Sequence, residues 1–257
     1  MIELYSESGV QLDYTRLVFA GGELHVNVAD ITQDGLIIKG LFRNSDDIME
    51  MLILNDALTR NGCDYISLEI CYLPYARQDR VCTKGDAFSL KVMTDLINSC
   101  NFYGVSVHDC HSDVGLDLLN SMVDSYSQLE YLIHTGYTMP LDAVVVAPDA
   151  GAFQKSKLIA EYYGLPLLVA SKVREPETGK LTGFAIDAAP EDIKGKQVYI
   201  FDDICDGGGT FLGLGKIIQE MEPTSMTLYV TNGIYSNEAN KILLEDMFNL
   251  ESTFAWN

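Results

Sequence analysis

The stretch from Val198 to Thr210, VYIFDDICDGGGT, constrains the fold more than any other. Val198, Tyr199, Ile200 and Phe201 make a short apolar, β-prone run. Asp202 and Asp203 follow, then Asp206. Gly207, Gly208, Gly209 and Thr210 then lead into TFLGLGKIIQEM, whose apolar spacing suits a helix. A strand, a glycine turn and a helix start make an anion cradle, because backbone N–H groups converge there and the helix dipole favours negative charge. Glycine also lets the backbone approach a phosphate closely. Two adjacent carboxylates repel a bare phosphate. Each accepts a hydroxyl hydrogen bond, so they suit a ligand that carries a vicinal diol beside its phosphate. Diol plus phosphate describes a ribose phosphate; the plainer alternative is a strand-end turn with solvated acids.

The rest of the chain alternates strand and helix patterns. Leu24 to Val28 and Leu36 to Lys39 read as β, and Asn44 to Arg60 as a helix with Ser45 or Asp46 as its N-cap. Tyr65 to Leu73 is a strand ending at Pro74, Ala87 to Ser99 an amphipathic helix, and Phe102 to Val107 a strand running into His108-Asp109-Cys110-His111. From Leu141 the pattern restarts: strand Ala143–Ala147, helix Phe153–Tyr163, strand Leu167–Ala170, the Val198 strand and its helix, and strand Met226–Thr231. Such alternation predicts parallel α/β sheets in two domains, 1–140 and 141–257. The segment from Ser171 to Gly183 reads as a long polar loop of the kind that forms lids.

Composition narrows the functions. A net charge of −20 argues against a nucleic-acid or anionic-membrane surface, and it forces an enzyme of phosphorylated substrates to gather its 17 Lys and Arg locally. No apolar run is long enough for a membrane span, and MIELYSESGV lacks the basic start of a secretory signal. The six cysteines show no zinc-ligand or CxxC spacing, which predicts free thiols and a cytoplasmic protein.

The cations do cluster. In YLPYARQDR, Arg77, Gln78 and Arg80 follow a strand-ending proline; two guanidiniums and an amide suit a triphosphate or an adenine edge. Lys172 and Arg174 open the polar loop. Asp149, after a buried-type strand, offers the oxygen ligands that Mg²⁺ takes alongside substrate oxygens. Lys155 and Lys157 are spaced i, i+2, so they do not share a helix face and only one can reach a site.

These motifs together resemble the ribose-phosphate pyrophosphokinases, the synthetases of phosphoribosyl pyrophosphate (PRPP). DDICDGGGT is similar to the PRPP motif shared with phosphoribosyltransferases, and YARQDR to the ATP-site motif that simple phosphoribosyltransferases lack. The order and spacing hold from about Phe19 to Thr231. The resemblance implies two phosphoribosyltransferase-like α/β domains and transfer of the β,γ-diphosphate of Mg-ATP to the C1 hydroxyl of a ribose, releasing AMP. It implies ATP contacts from Phe19, Glu23, Arg77, Gln78, Asp79, Arg80 and His111, and ribose-phosphate contacts from Asp202, Asp203, Asp206, Gly207, Gly208, Gly209 and Thr210. It places Mg²⁺ at His111 and Asp149, and gives the catalytic cations as Lys172 and Arg174. It also implies a homo-oligomer, dimer or hexamer, in which Phe19 and Glu23 serve a neighbour's ATP site.

The chain departs from that family in places. FAGGE replaces F-P-D-G-E, VCTKGDAFS lacks the basic segment of the allosteric phosphate site, and Gly207 stands where the family carries threonine. Losing that side chain opens space beyond a 5-phosphate, which suggests ADP-ribose as an acceptor in place of ribose 5-phosphate, giving a 1-diphosphate for NAD salvage. A plain phosphoribosyltransferase and a catalytically silent binding subunit are the competing readings.

Overall fold

The computed structural model describes residues 1–29, 31, 35–174 and 181–256. They fall into two units, Met1–Ser127 and Gln128–Asn257, each with its own sheet. The division comes earlier than the expected 140/141 boundary. Helix α4 (Gln128–His134) belongs to the second unit, because its fully buried Leu132 packs in a core with Val145, Ile159 and Tyr199.

In the first unit the sheet order is β2 (Gln11–Leu12), β1 (Ile2–Ser6), β5 (Leu36–Gly40), β6 (Ile66–Ile70), β7 (Gly104–His108) and β8 (Met122–Tyr126). β5 to β8 run parallel, and β1 is antiparallel to β5. Helices α1 (Ser45–Arg60) and α2 (Ser89–Ser99) cross between them. Their Met51, Leu54, Leu58, Leu90, Met93 and Ile97 form one core with Leu4, Ile38, Leu68 and Val107. Alternate strand residues therefore point to the other face, which carries Lys39, Glu69 and His108. The N-cap of α1 is Asn44, one residue before Ser45 and two before Asp46, the expected caps: its Oδ1 accepts from Asp46 N and Asp47 N at 2.9 and 3.1 Å. A separate hairpin, β3 (Thr15–Val18) and β4 (Leu24–Asn27), carries Phe19 and Glu23 at its turn. Among the described residues, α3 (Asp113–Asp117) completes the unit.

The second unit orders β11 (Leu181–Ile186), β10 (Leu167–Arg174), β9 (Val144–Ala147), β12 (Gln197–Cys205), β13 (Ser225–Gly233) and β14 (Asn249–Ala255). All pairs are parallel except the β10–β11 hairpin at the edge. Alternation decides both cores. Val144, Val146, Val198, Ile200, Leu228 and Val230 pack with α6 (Gly209–Glu220) and α7 (Glu238–Met247). Val145, Tyr199, Phe201 and Tyr229 pack with α4 and α5 (Phe153–Tyr163). Strands covered on both faces read as unbroken apolar runs. The chain leaves β9 for β10 on one side and returns to β12 on the other. The C-terminal ends of β9 and β12 therefore flank a topological switch point, the usual ligand crevice of an open α/β sheet.

Two expectations need correction. The polar segment after Ala170 is not a loop throughout: Ser171–Arg174 continues β10, and Leu181–Ile186 pairs back on it. As an edge hairpin it is half solvated, so its polar alternation looks like loop sequence. The acids Asp202 and Asp203 do not follow the strand but lie within it, since β12 continues to Cys205 beside β13. The six cysteines are free, as expected.

Candidate active site

In the second unit, the end of β12 turns through Asp206, Gly207 and Gly208 into α6. Gly208 caps the helix at φ 74°, and a Cβ there would sit 2.7 Å from Leu244 Cδ1, so the turn needs glycine twice over. No side chain caps α6, so its first-turn N–H groups have no side-chain partner from the cap residue, the condition under which a helix start can take an anion. The turn is held from outside: Ser236 Oγ donates to Asp206 Oδ1 at 2.6 Å, and Asn240 Nδ2 to Gly207 O at 2.6 Å. A Cβ on Gly207 would meet nothing within 4 Å, so the backbone there does not itself require glycine.

Asp202 and Asp203 touch. Asp203 N donates to Asp202 Oδ1 at 2.9 Å, and burial followed by the neighbouring Asp203 charge raises the Asp202 pKa well above the carboxylate range. Lys155 opposes that rise. It is therefore the lysine of α5 that faces the acids, while Lys157 pairs with Glu161 at 3.7 Å on the exposed side. The Cys205 thiol beside them is pushed up to about 12 by burial and the Asp202 charge, so it is neutral and no nucleophile.

Asp149 follows β9. Its Oδ1 accepts from Gly151 N and Ala152 N at 3.0 and 3.2 Å, and its Oδ2 from Lys172 Nζ, on β10, at 2.8 Å. Burial pushes its pKa up, but Lys172 and those N–H groups outweigh it and hold the carboxyl below its ordinary value. Three of its roughly four lone-pair positions are thus taken, leaving one for a further ligand. Arg174 closes β10 opposite Leu181; its side chain lies outside the described residues.

In the first unit, Arg77, Gln78, Asp79, Arg80 and His111 line one cavity of about 350 Å³, together with Cys82, Asp86 and Ser89. The sequence places His111 far from the arginines; the sheet brings them together, because both loops leave the same end of β6 and β7. Asp79 is buried and takes Arg80 as a fork, Nε to Oδ1 at 2.8 Å and Nη2 to Oδ2 at 3.3 Å, which aims the guanidinium and depresses the Asp79 pKa. Asp79 is thus placed to orient Arg80. Asp109, before the His111 loop, is a non-glycine residue at φ 46° with its N–H on Tyr126 O at 2.7 Å, a strained turn at the end of β7. Among the described residues, that cavity is not lined by Phe19 or Glu23. Phe19 is half exposed at the hairpin turn. No group of three or more His, Cys, Asp or Glu gathers as a metal site among the described residues.

Sequence reasoning missed Gln128, fully buried against β12, and the Ser236 and Asn240 supports. None sits in a motif, and only tertiary contact gives them a role. It left Lys155 undecided against Lys157.

Comparison with known proteins bears on both units. A family model described as the N-terminal domain of ribose phosphate pyrophosphokinase matches residues 5–100, and the phosphoribosyl transferase domain matches 133–246. The ribose-phosphate pyrophosphokinase of Mycoplasma genitalium is 29% identical over 232 residues, 88% of this chain and 69% of that one. That of Pyrococcus furiosus is 26% identical over 223 residues, 86% of this chain and 78% of that one. The crystal structure of phosphoribosylpyrophosphate synthetase from Mycobacterium smegmatis superimposes with a TM-score of 0.80 at 24% identity, over 96% of this chain and 87% of that one, a likeness of fold. With both domain models matched in order and an α/β architecture of that kind, the chain belongs to the ribose-phosphate pyrophosphokinase family.

Proposed function

We propose that the chain is an ATP-dependent diphosphotransferase: the C1 hydroxyl oxygen of a ribose phosphate attacks the β-phosphorus of ATP, the bond to the α-phosphate oxygen breaks, and AMP leaves. The observation that carries this reading is the presence, in one chain, of two cradles of different chemistry. The guanidinium-lined cavity of Arg77, Arg80 and His111 suits a nucleoside triphosphate. The Asp202–Thr210 turn, with open helix N–H groups beside paired acids, suits a ribose phosphate. A phosphoribosyltransferase needs only the second.

Each residue has a task in this reading. The α6 N-terminus and Thr210 take the 5-phosphate, and Asp202 and Asp203 accept the ribose hydroxyls. Lys172 and Arg174 neutralise charge on the transferring diphosphate, where phosphoryl transfer depends on positioning and electrostatics. Asp149 holds Lys172 in place until the nucleotide arrives. Mg²⁺ would come with the triphosphate as an ion that needs only one or two protein ligands; in the first unit His111 lines the guanidinium cavity, and in the second Asp149 keeps one lone-pair position open. The ion would screen the phosphate charges. Phe19 and Glu23, on the projecting hairpin, would reach the nucleotide of a second copy in a homo-oligomer.

A second reading of the acceptor is ADP-ribose, drawn from Gly207 standing where the family carries threonine: without that side chain a 5-diphosphate could continue past the turn. One assay separates the readings: AMP release from Mg-ATP with ribose 5-phosphate and with ADP-ribose, followed by chromatography. We expect AMP in step with acceptor consumption. Preference for ribose 5-phosphate eliminates the ADP-ribose reading; no AMP with either acceptor eliminates the enzyme reading and leaves a binding subunit.

A further inference from the structure

We propose that Gln128 is a positioning residue for the acceptor, acting through the main chain of Asp202. Gln128 is the first residue of the second unit and is fully buried. Its Nε2 donates to Asp202 O at 2.7 Å and to Thr231 Oγ1 at 3.1 Å. β9 pairs with β12 only as far as Ile200, so Asp202 lies past the end of that ladder, and a side-chain amide meets its carbonyl. The carbonyl of Asp202 belongs to the peptide plane that joins it to Asp203. Fixing that plane fixes the direction in which both acids leave the strand. The Thr231 contact ties the same amide to β13, so the end of β12 cannot rotate against its neighbour.

The amide is a poor choice for stability. Among the described residues its Oε1 is buried without a hydrogen-bond partner, which is unfavourable. An apolar side chain of the same length would avoid that cost but would leave the Asp202 carbonyl without its donor. An amide retained there gains from orientation what it loses in burial. The paired acids need this support, because two touching carboxyls repel whenever both are charged and would swing apart on a loose strand end.

The inference rests on the reading of the Asp202–Thr210 turn as the acceptor site. The test compares the full chain with Gln128→Met, which keeps length and volume without a donor, and Gln128→Asn, which keeps the amide but falls one methylene short. Ribose 5-phosphate binding is measured by titration calorimetry, and the KM values for acceptor and for ATP by AMP release. Each variant that folds is expected to lose at least tenfold in ribose 5-phosphate affinity and to raise the acceptor KM by a similar factor. The KM for ATP is expected to stay within twofold, and the melting temperature of Gln128→Met to fall by a few degrees at most, because the lost donor is offset by removal of the orphaned Oε1. Acceptor affinity within twofold of the parent, or equal losses for ATP and acceptor, would overturn the proposal. If the parent chain neither binds ribose 5-phosphate nor releases AMP with it, the same measurements are made with ADP-ribose, and failure with both means that the functional reading has failed instead. If Gln128→Met does not fold, Gln128→Asn decides alone.

Discussion

Removing the ammonium of Lys172 separates a structural from a catalytic role by magnitude. Lys172 Nζ lies 2.8 Å from Asp149 Oδ2, with the two side chains 29% and 31% exposed. Two unit charges about 4 Å apart attract by about 4 kcal/mol at an effective dielectric of 20. Desolvation, side-chain entropy and screening reduce partly exposed pairs to about 1 kcal/mol or less. Lys172→Ala should therefore lower the melting temperature by no more than about 2–4 °C. Loss of a charge-stabilising donor from a transition state costs far more, about 2.7–4 kcal/mol or 10²–10³ in rate. The sign with pH follows from Asp149, whose carboxyl is held below its ordinary value. The pair's stabilisation is present above the unfolded carboxylate pKa and disappears as pH falls through the folded one, so the variant's stability deficit should shrink in acid. AMP release under saturating Mg-ATP and thermal melting, both at neutral pH, make the comparison. A rate within threefold of the parent alongside a lowered melting temperature would refute the argument and leave Lys172 as the anchor of Asp149 only.

Two further outcomes follow from the geometry. Glu69 Oε1 accepts from Lys39 at 2.7 Å and His108 at 3.0 Å; burial raises its pKa, but His108 and Lys39 bring it down to about 2. Its contribution is then complete above the unfolded value of 4.5 and fades toward pH 2, so Glu69→Gln should cost about 1–2 kcal/mol at pH 7 and much less at pH 3 in denaturant melts. An equal cost at both pH values would contradict this. Gly207→Ala, which meets open space, should leave stability within about 0.5 kcal/mol, whereas Gly208→Ala, at φ 74° and against Leu244, should lose more than about 1 kcal/mol. Equal losses in thermal melts would show that the turn is not built as described.

Much of this molecule was legible in advance because its signals are local. Helix α5 (Phe153–Tyr163) and the apolar strands were readable because burial on both faces leaves continuous Val, Ile, Tyr and Phe runs. Errors fell where local pattern and tertiary context disagree. The β10–β11 arms read as loop because an edge hairpin is half solvated. The domain boundary was displaced because α4 (QLEYLIH) takes its allegiance from where Leu132 packs, which is not a local property. Gln128 gave no signal, since a buried amide looks like any surface glutamine until its carbonyl partner is known.

The amino-acid order alone determined the α/β class and the family and marked the two proposed cradles, because glycine turns, paired acids and arginine clusters carry their chemistry within a few residues. Tertiary structure decided the rest. It gathered His111 with Arg77 and Arg80, turned Lys155 rather than Lys157 toward Asp202, tied Lys172 to Asp149 and placed Gln128 beneath the acids. Each of those pairings spans residues whose distance is set by sheet order and core packing, which no neighbouring residues encode.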